Sequence, residues 1–99
     1  MAVSVFVVCE LEEGVLNSVR SEQERATIDA LVHALEIMYP DERFTARYGE
    51  VAHHLRRKSR SVATMDLLIG VSALVDGAKL VTANRRHFEV IPGLEIVDY

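Results

Sequence analysis

The sequence predicts an α/β domain built on a mostly parallel sheet, and three observations carry that expectation. Residues 3–8 are an unbroken β-branched and aromatic run, the pattern of a strand buried on both faces. Residues 79–82 (Lys-Leu-Val-Thr) form a short strand that follows directly on a helical pattern ending at Gly77. Between these runs lie segments with apolar residues at helical spacing and helix-start residues in front of them.

Taken in order, the strand at residues 3–8 leads straight into Cys9 and Glu10, so Glu10 is expected at its C-terminal end, with a helix starting there. Acids in a first helical turn are favoured by the helix dipole whatever the function, and that accounts for Glu12 and Glu13. Ser21-Glu22-Gln23-Glu24 has capping-box form, with Ser21 as N-cap, and Ile28, Leu31, Val32 and Leu35 supply the apolar stripe of a scaffold helix. His33 lies in that helix with no second ligand four residues on, which reads as a surface or boundary residue. Residues 35–40 form a second strand, ended by Pro40.

From Asp41, a helix is expected with Phe44, Tyr48, Val51 or Ala52, and Leu55 on its inner face. Its acidic start and basic end suit the macrodipole, the plainer account of Arg56, Arg57, Lys58 and Arg60; a cradle for an RNA backbone is the sharper one. The plainer account is preferred because no aromatic is interleaved for base stacking. His53 and His54 diverge by about 100° on a helix, so they cannot both face one metal. Pro92-Gly93 turns the chain into a last strand, residues 94–99.

Composition bounds the rest. Ninety-nine residues, 49% apolar and 26% charged, suit one globular domain with a single small core rather than a disordered chain. The N-terminal run lacks a basic leader and is followed at once by acids, so neither a signal peptide nor a membrane span is expected. Cys9 is the one cysteine, which leaves no internal disulfide and makes a reducing cytoplasm the expected compartment. The net charge of −4 hides an asymmetry: residues 1–42 carry nine acids and two bases, and residues 43–99 carry six acids and nine bases. The basic part has the sign needed to meet phosphate.

The chain is organised around residues 61–88. Thr64 reads as an N-cap, Asp66 falls in the first turn, Leu67, Leu68, Val71, Leu74 and Val75 form the apolar run, and Gly77 is the stop. In α/β proteins ligands bind at the carboxyl ends of strands, where Thr82, Ala83 and Asn84 leave the strand at residues 79–82. Taken alone, Glu10 and Asp66 each also fit a dipole-favoured acid at a helix start.

Met65-Asp66-Leu67-Leu68-Ile69-Gly70, then residues 77–84 (GAKLVTAN), Phe88 and Pro92-Gly93-Leu94, together with Cys9-Glu10-Leu11-Glu12-Glu13-Gly14 near the start, resemble a PIN-domain ribonuclease of the VapC toxin type. The resemblance covers nearly the whole chain. Each motif is weak alone; their order and spacing make the match specific. It implies a three-layer α/β/α domain over residues 1–99, with a central, mostly parallel sheet. It further implies a metal-dependent endoribonuclease that uses Mg²⁺ or Mn²⁺, an RNA substrate, and a cognate antitoxin that masks the acidic groove. A homodimer or strand-exchanged oligomer, no membrane and a cytoplasmic setting complete the picture.

The resemblance makes Glu10 and Asp66 the metal-binding and catalytic acids, and Asn84 a further catalytic residue, since an amide oxygen can coordinate metal or fix a water. Thr82, Arg85 and Arg86 are the substrate-binding residues expected at the strand end. The sequence departs from the family at two places near that end: Asn84 is an amide near where an acid is frequent, and His87 stands where Asp or Glu is common. It also begins at what corresponds to the family's second strand, with no Asp before Asp29, so an N-terminally truncated domain lacking the first strand and its Asp is expected. Three repairs are open: direct pairing of the two flanking strands, a strand donated by a second copy, or upstream residues outside this reading frame. The alternative in a different class is a non-catalytic PIN-like remnant that binds a protein partner through an apolar face. A response-regulator-like α/β module ranks below both, because no phosphate-cradling glycine loop is present.

Overall fold

The computed structural model describes residues 2–98. The chain divides into two compact units, Met1–Tyr39 and Pro40–Tyr99.

The first unit holds β1 (Ala2–Ser4), α1 (Val5–Leu16), α2 (Ser21–Ala34) and β2 (Glu36–Met38), with β1 and β2 paired in parallel through Val3 and Ile37. This corrects the expected strand over residues 3–8. Ser4 Oγ accepts from the Phe6 N–H at 3.0 Å, so a serine inside the run caps a helix and ends the strand after three residues. A good N-cap contributes about 1 kcal/mol, enough to offset the few tenths lost at each of Val5, Val7 and Val8. Glu10 therefore sits in the middle of α1 and not at a strand end. Val15 is the buried anchor of α1, and Arg25 of α2 reaches Glu12 at 2.7 Å. Ser21 does not cap α2: Glu24 N–H donates to the Arg20 carbonyl at 3.0 Å, so Arg20 is the cap and Ser21 is already helical.

The second unit holds α3 (Glu42–Arg57), α4 (Thr64–Val75), β3 (Leu80–Thr82), α5 (Arg85–Phe88) and β4 (Ile96–Asp98). Asp41 caps α3 through the Arg43 N–H at 2.9 Å. Phe44, Val51 and Leu55 are buried on its inner face, as the spacing predicts, and α3 packs on α4. Leu67, Ile69 and Val71 of α4, with Phe88 and Ile91, complete the core. Thr64 is the first residue of α4 rather than its cap; the Ala63 carbonyl takes that place by accepting from Leu67 N–H at 2.9 Å.

Two helix ends are closed alike. After α4, Gly77 at φ 63° donates to Leu74 and Ala78 donates to Ala73; after α3, Ser59 at φ 54° donates to Arg56 and Arg60 donates to Leu55. Each is a Schellman pair that satisfies the last carbonyls. Gly77 adopts this backbone freely, whereas Ser59 carries a side chain in the left-handed region. Pro92-Gly93 forms the expected turn, with Leu94 N–H returning to the Ile91 carbonyl and Gly93 at φ 80°.

β3 and β4 pair in parallel, with Leu80, Val81 and Thr82 opposite Ile96, Val97 and Asp98. The parallel character is as expected, but among the described residues the strands make two two-stranded sheets, β1-β2 and β3-β4, not one continuous sheet. Tyr99, the end of the expected last strand, lies outside the described residues.

Candidate active site

Asp66 lies in the first turn of α4, and its side chain is only 19% exposed. The four backbone N–H groups at a helix start favour a carboxylate there, but local preference does not choose its neighbour. Packing does. Gly70, one turn further along the same face, has no side chain to hold α5 away; a Cβ on it would lie 2.5 Å from Ile91 Cδ1 and 3.7 Å from Phe88 Cδ1. With Phe88 and Ile91 buried against α4, the preceding residue, His87, is carried to Asp66, and His87 Nδ1 stands 3.2 Å from Asp66 Oδ2.

The strand end that feeds this contact is ordered by its own polar groups. Thr82 Oγ1 accepts from the Asn84 N–H at 3.0 Å, and the Asn84 carbonyl accepts from the His87 N–H at 3.0 Å, which starts the single turn of α5. Thr82 thus acts first as a turn former. The Asn84 side-chain amide makes no capping bond. Arg85 is committed: its Nε donates to both carboxylate oxygens of Asp98 at 2.9 and 3.0 Å, and its Nη2 to the Ile96 carbonyl at 3.1 Å. The Asp98 hydrogen bonds hold the Arg85 guanidinium even more firmly charged than usual. Arg86 forms no ion pair among the described residues. An open depression of about 500 Å³ is lined by Ala83, Asn84, Arg85, Arg86, His87 and Glu89. Of its two guanidinium groups Arg85 is paired with Asp98, which leaves Arg86 as the cation in no ion pair among the described residues, with Glu89 as the one acid of the lining.

Glu10 belongs to the first unit. It is exposed on α1, in no ion pair among the described residues, and it lies outside the first turn, so the dipole account of this acid does not apply. The same reasoning separates it from Glu12, which Arg25 neutralises. Among the described residues no three His, Cys, Asp or Glu side chains gather as a metal-holding group, and the donors that meet within the second unit are Asp66 and His87. His87 is the residue that sequence reasoning passed over as a partner. Its position directly before a buried Phe, at the place where an acid is common, was the available signal.

A family model described as the PIN domain matches residues 1–94. The chain is 36% identical over 94 residues to Ribonuclease VapC2 of Rickettsia felis, covering 95% of this chain and 70% of that protein. It is 31% identical over 99 residues to the tRNA(fMet)-specific endonuclease VapC of Salmonella typhimurium, covering all of this chain and 75% of that protein. Its fold matches the crystal structure of VapBC2 from Rickettsia felis bound to a promoter DNA fragment with a TM-score of 0.91 and 35% identity, over 99% of this chain and 74% of that one. The motifs around Glu10, Asp66 and Asn84 therefore carried a true likeness, and the chain belongs to the PIN-domain family, among its VapC-type ribonucleases.

Proposed function

We propose that this chain is the ribonuclease toxin of a toxin–antitoxin pair, a divalent-metal-dependent endonuclease that cuts RNA. The observation that carries the reading is the shielded Asp66 carboxylate held beside the head of α5, where β3 ends and the Arg86 side of the depression begins. Relatives that this chain matches over 95% or more of its own length, and that are themselves longer, are named as ribonucleases, and one as a tRNA(fMet)-specific endonuclease, which makes tRNA the first substrate class to try.

Phosphodiester hydrolysis needs an activated water and relief of the charge that builds on the phosphate; bound Mg²⁺ or Mn²⁺ supplies both. Asp66 fits such an ion as an oxygen donor that is partly withdrawn from water. Glu10 is the second proposed acid, being a carboxylate in no ion pair among the described residues and with no helix-dipole reason for its place. Asn84 lines the depression, and its amide is proposed to hold a water or a phosphate oxygen there. Arg86 is the proposed phosphate contact; Arg85 is proposed to act through position, bracing α5 on β4, with its remaining N–H donors open to substrate.

Partners follow from the same reading. VapBC assemblies are the setting in which the matching structures occur, so a cognate antitoxin is the proposed inhibitor, and a dimer is the proposed state. Among the described residues no helix is long and apolar enough to cross a membrane.

The test is cleavage of a tRNA pool by the purified chain with Mg²⁺ or Mn²⁺. Asp66→Asn and Glu10→Gln should each lower the rate by about a hundredfold or more, the loss expected when several kcal/mol of metal-borne stabilisation goes. An Asp66→Asn protein that cleaves like its parent would remove Asp66 from the site, and a parent chain that cleaves no RNA with either ion would sink the assignment and favour a non-catalytic binding role.

A further inference from the structure

We infer that Asp66 and His87 act as a mixed oxygen–nitrogen ligand pair, giving this site a preference for a first-row transition ion over Mg²⁺. The inference rests on the proposed nuclease reading of Asp66 and adds a chemical identity to the ion. Two ligands about 2.1 Å from one ion stand about 3.0 Å apart in neighbouring octahedral positions and about 3.4 Å apart in a tetrahedron. His87 Nδ1 and Asp66 Oδ2, at 3.2 Å, have the spacing of two donors on one ion, between the octahedral and the tetrahedral value.

The backbone on both sides of this contact is anchored by packing. Asp66 shares a helix face with Gly70, and His87 adjoins Phe88, which is 6% exposed. Mg²⁺ is a hard ion that demands oxygen ligands and parts with water reluctantly, whereas imidazole nitrogen suits Co²⁺, Ni²⁺ and Zn²⁺. A nitrogen donor beside the carboxylate therefore adds affinity for the softer ions and little for Mg²⁺. His87 is more than half exposed, so an ion reaches it from the open depression that it lines.

Calorimetric titration of the full chain with Co²⁺ and with Mg²⁺ tests the pair without reference to cleavage. His87→Ala should weaken Co²⁺ binding at least about tenfold while changing Mg²⁺ binding much less, and His87→Glu should move the preference back toward Mg²⁺. In the unmodified chain, substoichiometric Co²⁺ should shift or broaden the imidazole resonances of His87 and spare those of His33, His53 and His54, a readout that survives even if a variant folds poorly. Unchanged or tighter Co²⁺ binding in His87→Ala, or an unperturbed His87 resonance, would overturn the pair and leave His87 as a close neighbour of Asp66 only. In that case Asp66→Asn should still abolish binding of both ions. Unaltered affinities for both ions in Asp66→Asn would instead remove the metal role of Asp66 itself.

Discussion

Gly70 faces Ile91 so closely that a β-carbon on it would lie 2.5 Å from Ile91 Cδ1, and this approach lets α5 carry His87 to Asp66. Gly70→Ala should therefore act twice. Overpacking of this kind costs about 1–3 kcal/mol, which calorimetry would register as a lowered Tm. The forced shift of Ile91 should also move His87 away from Asp66, visible as a change in the His87 side-chain resonances. An alanine variant as stable as its parent would mean that Ile91 rotates aside at no cost.

Two adjacent arginines should behave differently. Arg85 is tied to Asp98 and Ile96 in a planar, two-pronged arrangement that lysine cannot copy, so Arg85→Lys should loosen α5 as Arg85→Ala does. Amide exchange of Phe88 and Glu89 would report it. Arg86→Ala should leave exchange unchanged and weaken RNA binding uniformly, reducing the salt dependence of binding by about 0.7 per lost phosphate contact on single strands.

Asp41 caps α3 and also chelates the Arg43 guanidinium, whose side-chain and backbone hydrogen bonds hold this carboxyl below the ordinary aspartate range. The sign follows from linkage: a depressed folded pKa gives stability that is complete above the unfolded value of about 3.9 and is lost as pH falls through the lower folded value. Melting curves from neutral pH to strongly acidic pH should show the advantage of the parent over Asp41→Asn disappearing only at the acid end. Carboxyl titration by NMR should place Asp41 higher in Arg43→Ala.

Ser59 closes α3 in the left-handed region that Gly77 occupies after α4. Replacing it with glycine removes a side-chain clash of about 1–2 kcal/mol and adds up to about 1 kcal/mol of unfolded-state entropy. A small net gain in stability is expected, measurable as a higher urea midpoint with unchanged slope.

Chelation should separate fold from chemistry. Because the core of the second unit is apolar (Phe44, Val51, Leu55, Leu67, Ile69, Val71, Phe88 and Ile91), EDTA should abolish cleavage while leaving far-UV circular dichroism intact.

Local pattern was sufficient where one segment decides its own state. The inner face of α3, the glycine stop after α4, the Pro92-Gly93 turn, the short strand ending at Thr82 and the place of Asp66 in a first helical turn were all legible, because each depends on spacing, capping or backbone freedom within a few residues. Residues 3–8 were misleading for the same reason: a β-branched run suits a strand and a capped helix alike, and Ser4 tips the balance through one hydrogen bond. The meeting of Asp66 with His87, the division of the strands into two pairs and the commitment of Arg85 to Asp98 were decided by tertiary packing alone. Those contacts join side chains 21 and 13 residues apart, and the close approach at Gly70 that sets the first of them has no signature in either segment read by itself.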